Sequence, residues 1–126
     1  MKTLGLRHVA LNVKDPQASK AFYCELFSMD VEWEPDPDNV YLSSAGQDNL
    51  ALHKGEGGKG ALDHIGFFVA TLDEVDQLYE KAKSMGAPIA KEIKTHRDGA
   101  RSFYLRDPDG IVIQVLYHLP IVGTQK

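Results

Sequence analysis

The sequence predicts an α+β fold of two βαβββ modules forming curled mixed sheets. The phrase "LRHVALNV" at residues 6–13 is written again as "LDHIGFFV" at 62–69, and sliding the chain against itself by 56 positions extends the match well beyond it. In that register Leu6 meets Leu62, His8 meets His64, Val9 meets Ile65, Leu11 meets Phe67 and Val13 meets Val69. Farther along, Tyr23 meets Tyr79, and Ser28 and Met29 meet Ser84 and Met85. Self-similarity held over this distance marks a duplicated structural unit. After each copy of the phrase comes the same succession of one helical pattern and three short alternating ones.

In the first module Val9, Leu11 and Val13 alternate with His8, Ala10 and Asn12, the period of a half-buried strand. A helix follows, with Asp15 as its cap, Pro16 at its first position and Ala18, Phe22 and Leu26 as its apolar stripe. Strands are expected near Val31 to Trp33, Asn39 to Ser43 and Leu50 to His53. The second module repeats the pattern from residue 62. Thr71 and Glu74 have capping-box spacing, Val75, Leu78, Tyr79 and Ala82 form the stripe, and Gly86 ends the helix. Strands are expected near Pro88 to Ile93, Arg101 to Leu105 and Ile111 to Leu116, with "DPDG" at 107–110 as a turn. The whole reads as one domain over 1–126, with modules at 4–54 and 62–118, a linker at 55–61 and a tail at 119–126.

Composition narrows the function. A net charge of −4 and a pI near 5.7 leave no concentrated basic face for nucleic acid. No apolar run reaches the length of a membrane span or a signal-peptide core, and one cysteine, Cys24, allows no internal disulfide. The expectation is a cytoplasmic protein with a small-molecule partner and no nucleic-acid or membrane partner. Cys24, between Tyr23 and Leu26 on the first helix, reads as a small buried hydrophobe.

Each helix needs an apolar strand face to cover, which turns His8 and His64 to the opposite face. Aligning "NLALH" with "GIVIQ" sets His53 against Gln114. His8, His53, His64 and Gln114 then occupy two pairs of repeat-equivalent positions, on first and fourth strands that meet if the sheet curls. Imidazole suits zinc, nickel, iron or cobalt, and an amide carbonyl completes such a set. His96 reads as loop, and His118 is a further candidate on the Gln114 face.

The paired modules, the "RHVALNV" opening, the "LDHIGFFV" restart and the closing "FYLRDPDGIVIQV" resemble the vicinal oxygen chelate superfamily of glyoxalase I, extradiol dioxygenases, fosfomycin resistance enzymes and bleomycin resistance proteins. The resemblance runs from about Leu4 to Leu116 and is specific for the fold, which hosts several chemistries. It implies metal ligands on the first and fourth strands at His8, His53, His64 and Gln114, a divalent transition metal (Zn, Ni, Fe, Co or Mn), and a homodimer. Many metal-using members carry glutamate at the last ligand position. The Gln114 amide has no useful basicity near neutral pH, which argues against glyoxalase I chemistry and leaves the two-histidine, one-carboxylate pattern of ring cleavage incomplete. Neutral ligands leave an ion its full charge, so an anionic bidentate ligand is expected.

Arg97 and Arg101 resemble a substrate-side stretch of the fosfomycin enzymes, and Arg101 is the candidate anion binder with Tyr104 lining the cup. Glu32 and Glu34 are candidates for the missing base. "GEGGKG" at 55–60 links two strands and opens no helix, so it forms no phosphate cradle; Lys54 and Lys59 beside it read as solvated. The expected function is a metal-dependent superfamily enzyme of unassigned reaction (lyase, isomerase, transferase or dioxygenase), with a metal-free sequestering protein of the bleomycin resistance type as the alternative.

Overall fold

A computed structural model describes residues 6–58, 60, 62, 64–96 and 99–118. The chain divides into two compact units, Met1–Gly58 and Lys59–Lys126. Arg97, Lys59 and the tail 119–126 lie outside the described residues.

The first unit runs β1 (His8–Val13), α1 (Pro16–Phe27), β2 (Asp30–Asp36), β3 (Asn39–Ser43) and β4 (Asn49–Lys54). Its strands form one mixed sheet in the order β1-β4-β3-β2, with β1 parallel to β4 and the other pairs antiparallel. The first and fourth strands are therefore hydrogen-bonded neighbours, and no curling is needed to bring them together. Leu11, Val13, Val40, Leu42, Leu50 and Leu52 are buried on the face that α1 covers. Asp15 caps α1 as its spacing predicts, its carboxylate accepting from the amides of Gln17 and Ala18 at 3.1 and 3.2 Å.

The buried stripe of α1 differs from the expected one. Pro16, Ser19, Tyr23 and Leu26 are buried, while Ala18 is exposed and Phe22 half-buried. The bulkiest side chain sets the helix rotation: Tyr23 is fully buried, and small Ser19, one turn before it, lets the helix approach the sheet. Cys24, one position off that stripe, is half-buried, and burial pushes its thiol above the ordinary value.

The second unit repeats the plan with β5 (Ile65–Phe68), α2 (Leu72–Ser84), β6 (Ile89–Thr95), β7 (Arg101–Arg106) and β8 (Val112–Tyr117), in the order β5-β8-β7-β6. Val75 and Ala82 of α2 and Phe103, Leu105, Ile113 and Val115 of the sheet are its core. The Thr71 hydroxyl accepts from the Glu74 amide at 3.2 Å and donates to the Glu74 carboxylate at 3.0 Å, so the predicted pair does cap the helix. Asp107 is buried in the "DPDG" turn, accepting from the amides of Asp109 and Ile111 at 2.9 Å each. No described helix is long and apolar enough to cross a membrane.

Candidate functional site

Strand alternation leaves each sheet one face away from its helix, and His8, His53, His64, Tyr104 and Gln114 stand there. In the first unit this face has three cross-strand rows. His8 pairs with Asn49; Ala10 with Ala51, Tyr41 and then Trp33; Asn12 with His53, Asn39 and then Asp36. In the second unit the corresponding middle row is Gly66, Gln114, Tyr104 and Lys91.

These rows correct the repeat alignment of the last strands. Ala10 is the counterpart of Gly66, so the strand partners Ala51 and Gln114 are equivalent, as are Tyr41 and Tyr104. The offset of 56 between His8 and His64 thus becomes 63 between Ala51 and Gln114. Three of the seven added residues fall in the β6–β7 connection, five residues long where Pro37 and Asp38 alone join β2 to β3. His53 falls one row beyond the Gln114 position. The local likeness of "VYLS" at 40–43 to "FYLR" at 103–106 was the signal that sets this register.

His8 and His53 share a face but stand four residues apart along paired strands, about 13 Å at a rise of ~3.3 Å per residue. Each ring is tied to its own row. His8 Nδ1 lies 2.8 Å from Asn49 Oδ1, and Asn49 Nδ2 donates to Glu32 Oε1 at 2.7 Å. His53 Nδ1 lies 2.7 Å from Asn39 Oδ1, and Asn39 Nδ2 donates to Asp36. Both histidines thus have the same support, an asparagine carbonyl backed by a carboxylate. Because each carboxylate claims the amide nitrogen, the carbonyl faces the imidazole, which donates from Nδ1; in the neutral ring the lone pair is then on Nε2.

In the second unit the His64 ring meets the Tyr104 ring edge-on, centroids 5.4 Å apart, and Lys91 Nζ lies 5.0 Å over the other part of that wall, above the Tyr104 ring. Gln114 is the direct strand partner of Tyr104, and opposite it Gly66 leaves room, since a Cβ there would stand 4.0 Å from Gln114 Oε1. His64, Tyr104 and Gln114 therefore stand on one face. Arg101 is not. It lies on the α2 side, with Nη2 2.8 Å from Asp76 Oδ1 and Nη1 2.6 Å from Thr95 Oγ1, so its guanidinium is already paired. The cation over the Tyr104 ring is Lys91, which strict alternation groups with Ile89. Register shifts on both sides of Lys91 turn it to the other face.

The remaining candidates divide. Glu32 supports Asn49, whereas Glu34 is held toward α1 by Lys20 at 2.9 Å and Gln17 at 3.2 Å, and these partners keep its carboxyl below the usual range. His96 closes the β6–β7 connection, its Nε2 3.0 Å from Ser102 Oγ. His118 follows β8 and is half-buried. Among the described residues, no three His, Cys, Asp or Glu side chains gather at one point.

The sequence model of the Glyoxalase/Bleomycin resistance protein/Dioxygenase superfamily matches residues 5–115. No curated protein matches the chain. Among solved structures, lactoylglutathione lyase from Agrobacterium tumefaciens is similar at 21% identity and TM-score 0.78, covering 92% of this chain and 95% of that one. The genomically encoded fosfomycin resistance protein FosX from Listeria monocytogenes matches at 24% identity and TM-score 0.78, covering 93% and 95%. TioX from Micromonospora sp. ML1 matches at 17% and TM-score 0.75, covering 91% and 99%. At these identities the likeness establishes the fold.

Proposed function

The chain belongs to the Glyoxalase/Bleomycin resistance protein/Dioxygenase superfamily, and from that premise we propose that it is a metal-dependent enzyme acting on a small, anionic, oxygen-chelating molecule. The observation that carries the reading is the support of His8. An imidazole that ligates through one nitrogen needs its other N–H donated to a fixed acceptor, and Asn49, itself anchored by Glu32, is that acceptor.

The ligands we assign are His8, His64 and Gln114. Two imidazole nitrogens and an amide oxygen suit Zn, Ni, Co, Fe or Mn and leave positions for a bidentate ligand. Ala51 stands where Gln114 stands in the other unit, so the first unit contributes one donor from these positions. A bound ion would act as a Lewis acid on the chelating oxygens. The chain's own part is recognition. The Lys91 ammonium attracts the anionic group, the Tyr104 ring forms a wall for the carbon skeleton, and Gly66 leaves space beside Gln114. The proposal includes a cytoplasmic homodimer, tested for assembly by sedimentation velocity.

Elemental analysis of the dialysed protein, beside a His8→Ala, His64→Ala double variant, tests the ion. About one equivalent of a transition metal per chain, lost in the variant, is the expected result. A parent that retains none after incubation with each candidate metal would favour the second reading, a metal-free binder. The exposed Trp33 stacked on Tyr41, centroids 5.2 Å apart, in the cross-strand row of Ala10 and Ala51, favours that alternative, because it is a surface for a planar ligand that needs no ion.

A further inference from the structure

Asp36, Asn39 and His53 stand on three neighbouring strands in one row, each the register partner of the next. Asn39 Nδ2 donates to both Asp36 carboxylate oxygens, at 3.0 and 3.2 Å. That bond orients the amide, so its Oδ1 faces His53 Nδ1 at 2.7 Å. A carbonyl oxygen only accepts, hence Nδ1 carries the hydrogen, and in the neutral ring Nε2 has the lone pair. The Tyr41 ring stands edge-on to the imidazole, centroids 5.5 Å apart at 78°, and limits its rotation. A half-buried imidazole with a fixed tautomer, backed through an amide by a carboxylate, has what an oriented base requires.

His53 is poorly placed for the ion. Its row is about 13 Å along the strands from that of His8, and each ring is bonded within its own row, whereas ligand nitrogens must both lie ~2 Å from a shared metal. Between the two rows Ala10 is exposed, with Ala51 buried beside it and half-buried Tyr41 at the flank, a small apolar surface for a ligand's skeleton. We infer that His53 is a proton acceptor, with Asn39 and Asp36 as its positioning residues, for a ligand that chelates at the His8 end and carries an acidic O–H at the other: a hydroxylated organic anion. The inference rests on the ion reading for its chelating end only. The O–H bond breaks, its electron pair stays on oxygen and the proton passes to Nε2. The Asp36 carboxylate, acting through Asn39, offsets the imidazolium charge until the proton returns to that oxygen or to water.

Diethyl pyrocarbonate acylates an unprotonated imidazole nitrogen, releasing ethanol and carbon dioxide, and mass spectrometry locates the adducts. On the full chain, with and without zinc chloride, His53 is expected to react at the same rate in both, while zinc protects His8 and His64. Protection of His53 equal to that of His8 makes it a ligand and overturns the inference with the ion reading intact. Protection of none overturns the ion reading, and the base is then decided by ring ¹⁵N spectra of the metal-free chain. These should show His53 protonated on Nδ1, and loss of that single-tautomer signature in Asn39→Ala with the His8 signals unchanged. A His53 protonated on Nε2 in the parent, or a tautomer indifferent to Asn39→Ala, overturns it.

Discussion

Replacing Asn49 by alanine should weaken zinc binding by about tenfold. The side chain contributes nothing to the proposed coordination directly; it accepts the His8 Nδ1 hydrogen at 2.8 Å and is held for that task by Glu32 at 2.7 Å. Loss of such a supporting acceptor costs ~10- to 100-fold in metal affinity. His8 is exposed, so water can take over part of the role, which places the effect at the lower end, about 1.4 kcal/mol. The fold should lose little, because both hydrogen bonds are exposed and water replaces them, leaving a cost of about 1–2 kcal/mol in total. Competition titration of zinc against a chromophoric chelator reads the affinity, and urea denaturation reads the stability. Asn39→Ala is the matched control, since it removes the same kind of support from His53. An Asn49→Ala affinity equal to the parent's, or an equal loss in Asn39→Ala, would refute the assignment of His8 and not His53 to the ion.

Gly55 and Gly66 should behave oppositely: Gly55→Ala places a Cβ 2.9 Å from Asn12 Cβ and should destabilise by ~1–3 kcal/mol, visible as a lower urea midpoint. Gly66→Ala meets nothing nearer than Leu116 Cδ2 at 3.5 Å, so stability should hold within ~0.5 kcal/mol while ligand affinity falls from lost room beside Gln114. Lys91→Ala should reduce affinity for an anionic chelator measured by calorimetry, whereas Arg101→Ala should leave it unchanged and cost at most ~1 kcal/mol of stability from the Asp76 pair. Lys20, then Gln17, hold the Glu34 carboxyl low; its stabilising effect is therefore complete above the unfolded-state value and lost as pH falls through the folded one. Glu34→Gln should flatten the acid side of a thermal-midpoint profile, and an unchanged acid slope would contradict this.

Much of the fold was legible because it rests on local rules. Alternation at residues 8–13 separates His8, Ala10 and Asn12 from the buried Leu11 and Val13, and Asp15 and Thr71 cap the helices their spacing marks. The duplicated histidine phrases identified both first strands and the family. The α1 stripe was misjudged because Ser19 and Tyr23 read as polar or amphipathic, although a serine is small enough for close approach and a tyrosine ring is mostly apolar surface.

The candidate site was legible only by residue type. Sequence alone determined that His8 and His64 face away from their helices, since side-chain direction within a strand follows from its period of two. Tertiary structure decided which residues stand beside them. Pairing between strands gave Gln114 the counterpart Ala51, moved His53 into a row with Asn39 and Asp36, and through bulges around Lys91 exchanged it for Arg101 on the Tyr104 face. The physical reason is that register depends on connection length and on hydrogen bonds to a distant strand, and a shift of one residue reverses every side chain that follows it.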